Sequence, residues 1–176
     1  MAGYPHPIIV VGRMGSGKTT IGRALASELG YRFIDNDAGL AAEYDATARE
    51  LAERVGVEQL HRLEAAQLLN ALASFGAGEV VIAAAASVVE EPACRAALSE
   101  QVVIWLRAHP AYLARRLREG DHRPKLGIGH PELPAAHEDH REELYRAVAD
   151  LIVDVAGRSV HDLVEEVRLR LMPSDE

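Results

Sequence analysis

The sequence predicts an α/β fold, a parallel sheet of five strands in a three-layer sandwich with helices on both faces. Three observations carry that expectation. Short β-branched or aromatic runs alternate with helical patterns from one end of the chain to the other. Most of these runs are continuously apolar, as strands covered on both faces must be. The first run leads directly into a glycine-rich turn, and open α/β sheets bind ligands at such carboxyl ends of strands.

In chain order, "PIIVVG" (7–12) reads as a buried strand and "TTIGRALASELG" (19–30) as a helix stopped by Gly30. "YRFIDND" (31–37) is the second strand, and "TARELAERVGVEQLHRLEAAQLLNALASFG" (47–76) carries a helical pattern throughout. "EVVIAAAA" (79–86), "QVVIWLRA" (101–108) and "DLIVDVA" (150–156) complete the strands, with helices expected over 91–100, 110–120 and, amphipathically, 159–171. The stretch 119–140 breaks the rhythm with three glycines, three prolines and four histidines, and reads as a mobile lid or binding loop. Residues 172–176, "MPSDE", have nothing to hold them and are expected to be disordered.

A chain of 176 residues is expected to form one domain, 1–176, large enough to bury a full core. Its apolar fraction of 48% and charged fraction of 26% argue against a disordered or fibrous protein. The net charge is −8 and the arginines are scattered among acids, which leaves no footprint for a nucleic-acid backbone. Cys94 is the single cysteine, so an internal disulfide is excluded and a small core residue is expected. No run reaches ~18 apolar residues, and the first residues lack the basic start of a secretory signal, so a cytoplasmic protein without a membrane partner is expected.

The chemistry begins at "GRMGSGKTT", a G-x-x-x-x-G-K-[ST] pattern running from Gly12 to Thr19. In such a P-loop, backbone N–H groups around Gly12, Met14, Gly15, Ser16 and Gly17 turn inward on phosphate oxygens. Lys18 then supplies a point charge at the β and γ phosphates, and Thr19, followed by Thr20, offers a hydroxyl for Mg²⁺. Lys18 is one of only two lysines in the chain, and a merely structural turn would have no need of it. On an extended strand Asp35 and Asp37 would share one face and look toward the loop. Asp35 could then hold Mg²⁺ through water and Asp37 accept a proton from an attacking hydroxyl, while either could instead cap the next helix. ATP with Mg²⁺ is therefore the expected cofactor pair. A guanine-specific NKxD-like signature is absent from the sequence.

With these residues in view the chain resembles the shikimate kinase family, small ATP-dependent kinases that phosphorylate a hydroxyl of a cyclic polyol carboxylate. The likeness runs through "GRMGSGKTT", "FIDND", the lid stretch "HRPKL" and "REELYRAVAD". It implies that Lys18 and Arg123 neutralise charge on the transferring phosphate, Asp37 meets the acceptor hydroxyl, Arg141 grips the acceptor carboxylate and Arg116 stacks on adenine. It also implies an acceptor-binding helical region at about 38–76 and a monomer. Tyr145, four residues after Arg141, is read as a packing residue.

Two departures bear on the acceptor. Where the family has F-R-x-x-E this chain has "LHRLE", so His61 replaces an arginine fork by a ring that is mostly neutral at pH 7. Where the family has three glycines at the end of the third strand, this chain has Ala84, Ala85, Ala86 and Ser87. The added methyl groups are expected to place Ala85 and Ala86 at an altered acceptor wall, or else only to pack the strand end. The leading expectation is a kinase acting on shikimate or a related cyclitol, sugar or sugar acid. The alternatives are a nucleoside or nucleotide kinase and a non-catalytic ATP-binding protein. Four histidines, His122, His130, His137 and His140, permit a metal site, but no cysteine accompanies them.

Overall fold

The computed structural model describes residues 6–75, 78–119 and 135–171. Arg123, most of the stretch 119–140 and the tail 172–176 lie outside the described residues. The strands are β1 (Ile8–Val11), β2 (Arg32–Asp35), β3 (Val80–Ala83), β4 (Val102–Arg107) and β5 (Leu151–Asp154). They form an all-parallel sheet in the order β2-β3-β1-β4-β5. The helices are α1 (Lys18–Leu29), α2 (Asn36–Tyr44), α3 (Ala48–Val55), α4 (Val57–Phe75), α5 (Pro92–Leu98), α6 (Pro110–Glu119), α7 (Ala135–Val148) and α8 (Val160–Leu171). A short 3₁₀ turn, Val88–Glu90, follows β3.

The period of two along a strand sorts the apolar runs into two layers of core. Ile9 and Val11 pack with Ile82, Trp105, Leu68 of α4, Cys94 of α5 and Tyr145 of α7. Ile8 and Val10 face the other way, onto Val81, Ile104, Leu25 of α1 and Leu163 and Val167 of α8. This is the three-layer arrangement expected from the alternating sequence, and β1, wholly buried, is its centre. Cys94 is the core residue expected, its thiol pushed up to about 11 chiefly by burial.

Three elements differ from the sequence reading. α7 begins at Ala135, so residues 135–140 of the stretch read as a loop are helical. The second strand ends at Asp35, whose Oδ1 accepts the Ala38 N–H at 3.1 Å and so caps α2. A helix start needs such an acceptor, and Asp supplies it better than another extended residue would. Asp37 therefore stands in the first turn of α2, and the two carboxylates do not share one face of an extended strand. The pattern over 47–76 is broken at Gly56, whose φ of 86° no side-chain-bearing residue adopts readily. Its N–H closes α3 on Ala52 O, and α4 starts anew at Val57. With that break α2, α3 and α4 bury a small core of their own from Leu40, Leu51 and Leu60. Among the described residues, no helix is long and apolar enough to cross a membrane.

Candidate active site

Because β1 is flanked by β3 and β4, the turn that leaves it opens at the middle of the sheet. A Cβ on Gly12 would stand 2.6 Å from Leu106 O and 2.9 Å from Ser16 Oγ, and its φ is +146°, so the loop can close here only with glycine. Gly17, also at positive φ, precedes the first turn of α1. Ser16 is fully buried in the loop, and its Oγ has no hydrogen-bond partner among the described residues. Lys18 is nearly buried, its Nζ donating to Gly12 O at 2.9 Å and Arg13 O at 3.3 Å. The ammonium is thereby folded over the loop, in the position from which it can meet phosphate oxygens. Met14 and Thr20 are exposed at the rim. Arg116 of α6 comes to the same loop, its Nη1 3.7 Å from where a Gly17 Cβ would stand.

Thr19 Oγ1 donates to Asp35 Oδ2 at 2.7 Å. Asp35 thus holds the start of α2 with one oxygen and the start of α1 with the other. Two hard oxygen donors next to an anion-binding loop are the donor set that suits Mg²⁺.

Beside this lies a second polar group built from four separated stretches. Asn36 is buried and donates to Glu64 O at 3.1 Å, which ties α2 to α4. Glu64 itself is buried and accepts from Ser87 Oγ. Burial pushes the Glu64 carboxyl up to about 7; Asp37 nearby adds to the rise, while the Ser87 hydroxyl, Arg141 and Lys18 oppose it. Tyr145 is wholly buried on α7, stacks on Trp105 at 5.7 Å and donates from its hydroxyl to Ala86 O at 2.7 Å. One helical turn earlier, on the same face, Arg141 donates from Nε to Glu90 Oε1 at 2.5 Å. The other oxygen of Glu90, Oε2, is 3.3 Å from Nδ1 of His61 on α4. Arg13 Nη2 and Glu142 Oε2, 3.9 Å apart, join the loop to α7.

The alanine run divides. Ala84 continues the sheet, its N–H on Val10 O at 3.0 Å, and Ala84 and Ala85 are buried in the core. Ala86 is half-buried and offers its carbonyl to Tyr145. Asp45 is the one non-glycine with positive φ among the described residues, so the alanines stand at angles open to any residue.

The shikimate kinase family model matches residues 14–171. The chain belongs to the shikimate kinase family. It is 37% identical over 164 residues to a shikimate kinase of Geobacter sulfurreducens, covering 91% of this chain and 87% of that one. It is likewise 37% identical over 175 residues to one of Bordetella pertussis, covering 95% and 80%. A shikimate kinase from Acinetobacter baumannii, solved in complex with shikimate, superposes with a TM-score of 0.81 at 28% identity over 94% of this chain and 92% of that one. The P-loop kinase fold and an ATP-dependent kinase activity follow from this membership.

The same polar group holds residues that sequence reasoning left out. Asn36 and Glu90 are not singled out there, Ser87 enters only beside the alanine run, and Glu64 only as the last residue of "LHRLE". Asn36 and Ser87 carry no local signal, because each matters through a partner on α4. Glu90 sits in "VVEEP", where an acid before proline reads as an ordinary helix start.

Proposed function

We propose that the chain transfers the γ-phosphate of ATP to a hydroxyl of shikimate or of a related cyclitol, sugar or sugar acid. The observation that carries this reading is the Lys18–Thr19–Asp35 arrangement at the P-loop, with Asp37 opening the next helix beside it. Thr19 and Asp35 would hold Mg²⁺, which supplies charge neutralisation at the phosphates when bound. The loop N–H groups from Gly12 to Thr20 and Arg116 would hold the nucleotide. Lys18 and Arg123 would balance charge on the transferring group. The bond from the acceptor oxygen to the γ-phosphorus forms as the bond from that phosphorus to the β–γ bridging oxygen breaks, and Asp37 takes the hydroxyl proton. His61, Arg141 and Ala86 would bound the acceptor and the buried Ala85 would shape that wall from behind, with 38–76 as its helical region and 119–140 as the lid. On the same reading the protein is a single kinase domain, monomeric and cytoplasmic, with no nucleic-acid partner.

The test is a coupled ADP-release assay with Mg-ATP on shikimate beside cyclitols, sugars and sugar acids. Lys18→Ala is expected to abolish turnover; Asp37→Asn is expected to retain ATP binding and lose transfer. Full activity in Asp37→Asn would show that another group takes the proton.

A further inference from the structure

We propose that Glu90 is a specificity-determining residue that fits the acceptor end of this site to a neutral polyol and sets it against one bearing a carboxylate. The inference rests on the kinase reading above and narrows its acceptor class.

Glu90 spans two elements. One oxygen lies on Arg141 Nε of α7 at 2.5 Å and the other lies 3.3 Å from His61 Nδ1 of α4. The chain thus places its own carboxylate across the two nitrogen-bearing side chains that the sequence reading assigned to the acceptor. The Arg141 side chain is only 9% exposed, and its charge is already balanced at contact distance. Glu90 is fixed as well from behind, since Arg95 Nη1 donates to Val89 O at 2.7 Å and to Glu90 O at 2.9 Å.

The charged groups shown against Glu90 are Arg141 and, at its backbone carbonyl, Arg95; Arg141 also acts on Glu64, whose other charged neighbours are Asp37 and Lys18, and Lys18 is engaged at the P-loop. An incoming carboxylate would meet Glu90 as a like charge in a partly desolvated setting, where such a juxtaposition discriminates between acceptors. A hydroxyl suffers no such repulsion, because it can donate to Glu90 and accept from guanidinium N–H groups at once. His61, unlike an arginine, adds no permanent positive charge to offset Glu90.

The test compares shikimate with its methyl ester, in which an added methyl group removes the charge, titrated calorimetrically into the full chain with Mg-ADP present. The wild type is expected to bind the ester at least as tightly as the acid. Glu90→Gln and, separately, His61→Arg are each expected to move the acid-to-ester affinity ratio toward the acid by about tenfold or more. Damage to the fold would weaken both ligands alike and leave the ratio where it was. An unchanged ratio in both variants, or a wild type that binds the acid and not the ester, would overturn the proposal. ADP release on the same samples tells the two readings apart: a shifted ratio with no turnover on any acceptor keeps the Glu90 assignment and refutes the kinase reading.

Discussion

Glu64 makes the stability of this protein depend on pH in the direction opposite to that of an ordinary surface carboxylate. Its carboxyl is raised from 4.5 to about 7, first by burial and then by Asp37. In the folded state it keeps its proton where the unfolded chain has lost it. Its contribution to stability is therefore complete below about 4.5 and is lost as pH rises through about 7. A displacement from 4.5 to about 7, at ~1.4 kcal/mol per pH unit, amounts to about 3 kcal/mol once both states are ionised. Glu64→Gln replaces the protonated acid by a neutral amide that can still accept from Ser87 Oγ. Urea unfolding of both proteins at pH 5 and pH 8 is the assay. Relative to Glu64→Gln, the wild type is expected to lose about 2 to 3 kcal/mol between these values, since a part of the change already lies below pH 5. An equal difference between the two proteins at both pH values would refute the reasoning.

Two further variants probe the neighbouring geometry. Gly12→Ala forces a methyl to within 2.6 Å of Leu106 O at a φ of +146°; a loss of about 1–3 kcal/mol by chemical denaturation and of ADP binding by calorimetry is expected. Tyr145→Phe keeps the stack on Trp105 and deletes the donor to Ala86 O, so about 1 kcal/mol of stability should be lost, read from the denaturation midpoint.

The apolar runs made the sheet readable because β1, β3 and β4 are covered on both faces, and burial on that scale leaves few polar residues to confuse the pattern. The P-loop was equally legible, since its residues act on neighbours a few positions away. Boundaries set by one residue's competing options were not. Asp35 extends a strand or caps a helix equally well in sequence, and the need to satisfy α2's first N–H groups decided it. Gly56 interrupts a continuous helical pattern only because α3 and α4 must turn to close over Leu40. Glu90 was out of reach for a third reason: its partners are 51 residues ahead and 29 behind, so its meaning exists only in the folded chain.

The parts of the site are inherited in very different ways. The loop from Gly12 to Thr19 and Asp35 comes from two consecutive strand-to-helix connections, bound to each other through one Asp35 oxygen while the other starts α2. A change there disturbs several functions together. His61, Ser87, Glu90 and Arg141 come from three separate stretches of chain, each contributing one or two side chains. On the proposed reading, substitution at one of them would alter which molecule is admitted while the machinery that handles ATP stays intact. A gene duplicate of this architecture can therefore explore new acceptors one mutation at a time, with its catalytic engine running throughout.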